Sequence, residues 1–244
     1  MNGIFQAVLY QPILNIFIGL YTIIPDVGVA IVLLTVFIKL LLYPLTSSSI
    51  RAQKSLTELQ PKMEEIKKLH AGNQQMIAQE TMQLYKEHKV NPFGSCLPIL
   101  IQLPVFIALY RVLRAGLSGK DFGLLYPFIP NPGNLNTLSL GFLDLSKRSI
   151  ILAVLAGAAQ YWQAKMMTRK RPPKEAGAGG KDEDMAAMMN KQMLYMMPAL
   201  TVIIGIQLPA GLSLYWLLST ILTATQQKLV FKKHAHATPP VQTT

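Results

Sequence analysis

Apolar positions along this chain gather into long runs separated by two strongly polar stretches, and the runs are the length of membrane-crossing helices. Windows of about 20 residues that are predominantly apolar read as candidate spans, and five are found, at 27–45, 93–116, 150–167, 193–208 and 212–230. The fourth is short and is joined to the fifth through Pro209-Ala210-Gly211, a tight turn, so these two read as a transmembrane hairpin. The expected fold class is therefore an all-α membrane protein, a five-transmembrane-helix bundle forming one domain. Residues 1–26 form an outer segment, 117–149 an outer loop, 168–192 a linker and 231–244 a tail. A further apolar stretch, Ile4 to Ile24, has the length of a span but is interrupted by Pro12 and by Gln6, Gln11 and Asn15. It is expected to lie as an interfacial helix on the outer surface.

The polar stretch 46–92 has its own periodicity. Leu56, Leu59, Met63, Ile66 and Leu69 recur at three- and four-residue steps, Ala71-Gly72-Asn73 breaks the pattern, and Ile77, Thr81, Leu84 and His88 resume it. Two antiparallel amphipathic helices that bury narrow apolar stripes on each other satisfy this pattern, with Pro61 expected to kink or restart the first arm. From Arg171 to Asp184 the chain is Pro-, Gly- and charge-rich with no apolar residue beyond Ala, which reads as a linker.

Charge sets the orientation. The sequence is 51% apolar and only 14% charged, and 17 of its 23 Lys and Arg residues fall in the hairpin, the linker and the tail or, as Lys165 and Lys228, at the ends of the runs that lead into the last two. By the positive-inside rule these three segments face the cytoplasm, which puts the amino terminus outside and the carboxyl terminus inside. The net charge of +11 does not form a single stripe on a soluble fold, so DNA is not an expected partner. Anionic cytoplasmic lipid is the first reading of that charge and ribosomal RNA the second. The amino terminus carries no Lys or Arg and no small-residue cleavage site before Pro25, which argues against a removable signal. Cys96 is the single cysteine, so neither an intrachain disulfide nor a zinc cluster is expected.

Lys39 interrupts an otherwise apolar run, and a central Lys costs about 2.5 to 3.5 kcal/mol on insertion scales. The five runs contain no Asp or Glu, so its compensation must come from water, lipid phosphate or a visiting substrate. It can snorkel to the nearby cytoplasmic surface. Alternatively it lines a water-filled cavity together with Thr35, one turn away on the same face. Gln102, Gln160, Gln163 and Ser219 are the other polar residues available to such a cavity, although each can equally serve as an interhelical hydrogen bond. Tyr215 and Trp216, near the outer end of the last run, read either as interfacial belt residues or as a flat surface for a sliding substrate. The four histidines, 70, 88, 234 and 236, have no metal or triad spacing, and Gly177 to Gly180 lack the strand and helix of a phosphate loop. The expectation is a non-enzyme without cofactor or metal.

Five stretches together resemble the YidC/Oxa/Alb family of membrane-protein insertases: Leu-Leu-Tyr-Pro-Leu-Thr at 41–46, Glu-Leu-Gln-Pro-Lys at 58–62, Leu-Tyr-Lys-Glu-His-Lys-Val-Asn-Pro-Phe-Gly at 84–94, Cys-Leu-Pro-Ile-Leu-Ile-Gln-Leu-Pro at 96–104 and Pro-Ala-Gly-Leu-Ser-Leu-Tyr-Trp at 209–216. The resemblance, to the short bacterial form, implies a five-helix core in the cell membrane with a hydrophilic groove open to the cytoplasm and to lipid. Transmembrane segments of nascent proteins would be guided through that groove into the bilayer. It places Lys39 where the family usually has Arg, so the charge is kept and the bidentate fork is lost. It also places Thr35 in the groove and Tyr215 and Trp216 where an aromatic pair meets substrate, Trp216 being a change of type. The partners it implies are nascent membrane proteins and the lipid bilayer. It leaves room for the ribosome, the signal recognition particle pathway and the Sec translocon, with Lys62, Lys67, Lys68, Lys228, Lys232 and Lys233 as candidate contacts. A channel or small-solute transporter built around the same polar cavity is the alternative function. The absence of acids in the runs and the ordered hairpin count against it.

Overall fold

The structure, a computed structural model, describes residues 3–91, 97–117, 123–167 and 192–237, with side chains omitted at 98, 99, 192, 193 and 233–237. The linker after residue 167, Cys96, Lys120 and the side chains of Lys233, His234 and His236 lie outside what the structure describes. The chain is mostly helical: α1 Gly3–Ile23, α2 Val27–Leu41, α3 Tyr43–Leu69, α4 Gln74–Glu87, α5 Leu97–Leu117, α6 Ile150–Met167, α7 Met197–Gln207 and α8 Ala210–Ala237. It falls into two compact units, one of Met1–Tyr43, Ile99–Gln160 and Pro198–Leu222, the other of Pro44–Pro98, Tyr161–Met197 and Thr223–Thr244.

In the first unit the core forms where apolar residues repeat at helical spacing. Leu14, Phe17 and Ile18 of α1, Ala30, Ile31 and Leu34 of α2, Ala108, Leu109 and Val112 of α5, and Leu212 of α8 are all buried in one cluster. The amino-terminal segment, expected as an interfacial helix, is helical over Gly3–Ile23. Among the described residues, Gly3–Ile23 is the one helix that is long and apolar enough by itself to cross a membrane. Val27–Leu41 and Tyr43–Leu69 pass that test only as a broken pair, and Leu194–Gln207 falls short. Pro12 does not break α1, because the turn immediately before it, Gln6–Tyr10, is widened to the π form, which accommodates a ring that an ordinary turn would reject. The polar residues expected to interrupt this segment are used internally. Asn15, only 2% exposed, donates to the carbonyl oxygens of Gln11 at 2.7 Å and Leu124 at 3.0 Å, and accepts from the amide of Tyr126 at 2.6 Å. Gln11 also donates to Leu124, at 3.2 Å.

The break between α2 and α3 falls at Leu42, where Pro44 has no N–H to offer the carbonyl of Leu40 and its ring clashes with that carbonyl. The expected outer loop is not wholly irregular. It contains a short antiparallel hairpin, β1 Leu138–Ser139 and β2 Leu143–Asp144, an addition to the all-α reading. Its turn carries Leu140 at φ 51° and Gly141 at φ 81°. Asp26 caps the start of α2 by accepting from the amide of Val29 at 3.0 Å. The same carboxylate accepts from Ser139 Oγ at 2.6 Å and from the amide of Leu140 at 2.8 Å. Partial burial pushes the carboxyl of Asp26 up, but these hydrogen bonds outweigh it and hold the group below its ordinary range. Backbone bonds from Ala210 to Lys147 at 2.7 Å and from Gly211 to Leu145 at 3.0 Å tie the start of α8 to the strand that leaves the hairpin.

The second unit contains the helical hairpin of α3 and α4. Helix α3 runs through Pro61 without restarting and ends at Leu69. Gly72, at φ 90°, reverses the chain, and Asn73 caps α4 by accepting from the amide of Met76 at 3.1 Å. Leu59 and Leu84 are buried, and the Tyr85 hydroxyl lies 3.3 Å from the sulfur of Met63. Burial pushes the Tyr85 phenol up. Near the start of α3, Thr46 and Ser47 meet Gln226 of α8. The Gln226 amide nitrogen is 2.8 Å from each hydroxyl, and all three residues are buried.

Candidate functional site

Three helices of the first unit bring polar side chains to one amide. Gln102 of α5 accepts through Oε1 from Lys39 Nζ of α2 at 3.5 Å and from Ser219 Oγ of α8 at 3.3 Å, while its Nε2 donates to the Tyr215 hydroxyl. Tyr215 and Ser219 are four residues apart on α8, so one turn presents both to the same neighbour. The contact from Lys39 is at the long end of the hydrogen-bond range and to a neutral acceptor, which neutralises no charge.

The sequence-predicted residues do not all behave alike. Lys39, Gln102 and Ser219 are brought together. Thr35, 1% exposed, spends its hydroxyl on its own helix, donating to the carbonyl of Ile31 at 2.6 Å. Gln160 and Gln163 are half-buried positions of α6. Tyr215 is 2% exposed, so its ring does not present the flat open surface expected of a sliding contact, and its hydroxyl is drawn into the polar cluster instead. Trp216 is half-buried and meets Phe106 of α5 edge-on at 5.6 Å, and Phe106 also lies 6.3 Å from Tyr215. Phe106 was not among the expected site residues. Its signal was present in the sequence, since it follows Gln102 by four residues and so shares its face of α5.

In the second unit Lys62 and Lys68 are exposed and Lys67 is half-buried on α3, while Lys228 and Lys232 are exposed on α8. Lys62 lies 3.1 Å from His88 Nε2. Lys54 sits 5.5 Å from the ring of Phe231, a cation–π contact that steadies the end of α8. Among the described residues no group of three or more His, Cys, Asp or Glu side chains could hold a metal ion.

The family model described as 60Kd inner membrane protein matches residues 17–237. The chain is 36% identical over 208 residues to the membrane protein insertase YidC of Fusobacterium nucleatum, covering 85% of this chain and 87% of that protein. It is 37% identical over 207 residues to the membrane protein insertase YidC of Clostridium tetani, covering 84% and 81%. Against the YidC of Magnetococcus marinus it is 34% identical over 230 residues, 93% of this chain but only 36% of that longer protein. The fold is similar to a crystal structure of an active YidC insertase with its first transmembrane domain resolved, with a TM-score of 0.60, 25% identity, and coverage of 92% of this chain and 46% of that one. The residues that converge on Gln102 thus lie within the matched region, and the chain belongs to the YidC family of bacterial inner-membrane protein insertases.

Proposed function

We propose that this protein guides transmembrane segments of nascent proteins into the bilayer by receiving their polar flanks at the cluster of Lys39, Gln102, Tyr215 and Ser219. The observation that carries this reading is the convergence of an ammonium, an amide and two hydroxyls from three helices, in a region of sequence that contains no acid. A carboxylate on a short translocated flank would find in Lys39 a charge partner stronger than the amide oxygen now beside it. The lower local cost of that carboxylate would ease its crossing, while the apolar part of the segment moves against lipid and the half-buried face of Trp216 and Phe106. Thr35, Gln160 and Gln163 are proposed to line the same groove, which opens to the cytoplasm in this reading. The same reading places the amino terminus outside and the helical hairpin inside. It gives the exposed lysines of α3 and α8 a part in meeting the ribosome, the signal recognition particle pathway or the Sec translocon. The protein consumes no nucleotide and forms no covalent intermediate in this scheme, so it acts as a chaperone of insertion and not as an enzyme.

Liposomes containing this protein alone test the proposal. They should take up a single-span substrate with a short acidic flank, without acquiring ion or solute conductance. Flux without insertion would transfer the cluster to the channel or transporter reading and end the insertase mechanism.

A further inference from the structure

The hairpin of β1 and β2 carries two strongly exposed large apolar side chains, Leu140 at 68% and Phe142 at 77%. Leu140 also occupies the left-handed region at φ 51°, where Asn or Gly is the comfortable choice for an exposed turn. At that position the Leu140 side chain is largely uncovered by the protein itself. The depth of the tip is fixed, because the amide of Leu140 and the hydroxyl of Ser139 are both bound by the Asp26 carboxylate, which caps the apolar helix α2. The tip therefore cannot move far from the level at which that helix ends. At the root of the hairpin Lys147 and Arg148 are exposed. Lys147 is shared with Asp144 at 3.1 Å, which leaves the Arg148 guanidinium to complement an anion.

We infer that the 138–144 hairpin is a lipid anchor, with Leu140 and Phe142 inserted among the acyl chains at the membrane surface on the Asp26 side and Arg148 meeting lipid phosphate. Apolar side chains beside a basic one, held at the end of an apolar helix, match the chemistry of that interface. The inference needs the chain to be a membrane protein but does not depend on the Gln102 cluster.

The test uses the full chain with Cys96→Ser, carrying a nitroxide at Phe142→Cys, at Leu140→Cys or, as a polar reference, at the exposed Asn134→Cys. Each is reconstituted in vesicles of phosphatidylethanolamine and phosphatidylglycerol, and accessibility to oxygen and to a water-soluble nickel chelate is measured. Labels at 140 and 142 should show a ratio of oxygen to nickel accessibility well above that at 134. A ratio equal to that at 134 puts the tip in water and overturns the anchor. Low accessibility to both reagents means that protein covers the tip, either a second copy or a partner, and overturns it equally.

Discussion

The carboxylate of Asp26 accepts a 2.6 Å hydrogen bond from the hydroxyl of Ser139, a residue 113 positions later in the chain, while the same group caps helix α2. One side chain thus joins a helix start to a hairpin that has little core of its own.

Asp26→Ala removes the cap and both hairpin bonds and should destabilise the protein by about 1 to 2 kcal/mol, the usual range for a lost N-cap. The loss should appear as a lower midpoint of thermal unfolding in detergent and as faster hydrogen exchange at the Leu140 amide. The pH dependence follows from the depressed carboxyl. The folded protein holds this proton less tightly than the unfolded chain, so the stabilisation is complete above the ordinary value of 3.8 and is lost as pH falls through the lower folded value. Wild type should therefore lose more stability than Asp26→Asn between about pH 6 and pH 3. Parallel losses in the two proteins would remove Asp26 from the account.

How much of this was legible in the sequence differs from residue to residue. The helical hairpin of α3 and α4 was legible because its punctuation is local: Gly72 supplies the reversed φ and Asn73 the cap. The clustering of Lys39, Gln102 and Ser219 was legible because a polar group in an apolar run needs a partner, and few partners existed. Phe106 could have been found by its four-residue spacing from Gln102. The partners of Asn15 and Gln11 in the first helix were not legible. Periodicity counts these two residues as breaks in an apolar stripe, and only the folded chain shows that Leu124 and Tyr126 come back to satisfy them. Pro12 and Pro61 were legible only in part, since a proline signals an unmade hydrogen bond but not whether a widened turn or neighbouring packing absorbs it.

Gln102 offers a way to separate folding from function. Gln102→Leu leaves the Tyr215 hydroxyl and the Lys39 ammonium without the amide they share, and should cost about 1 to 3 kcal/mol together with reduced insertion. Gln102→Glu places a carboxylate beside Lys39 and should hold the three helices at least as well as wild type, yet it occupies the charge that an acidic flank would use. Unfolding midpoints and proteoliposome insertion, measured on both variants, should therefore move together for Leu and apart for Glu. Normal insertion of acidic-flank substrates by a stably folded Gln102→Glu protein would sink the role given to Lys39.

Lys39 itself should discriminate by substrate. Lys39→Glu reverses the charge and should impair substrates with acidic flanks more than those with neutral flanks, whereas Lys39→Arg keeps the charge and should be mild. Insertion yields of a matched pair of substrates, differing only in the flank, measure this directly. An equal loss on both would assign Lys39 to snorkelling toward the membrane surface, with no contact to cargo.

The packing of α6 on α7 makes a prediction independent of charge. Gly157 faces α7 so closely that an added methyl group would run into the side chain of Val202 and approach the carbonyl oxygen of Pro198 to 3.1 Å. A valine side chain can rotate or be shortened, but the backbone carbonyl can retreat only if the helix moves. Gly157→Ala should therefore lower the unfolding midpoint by an amount equivalent to about 1 to 3 kcal/mol, the usual cost of overpacking. Combining it with Val202→Ala should recover part of that loss but not all, because Pro198 still limits the approach. Val202→Ala alone should destabilise slightly by removing methyl groups of a half-buried side chain. A double variant no more stable than Gly157→Ala would mean that the carbonyl of Pro198, rather than the side chain of Val202, sets the distance between these two helices.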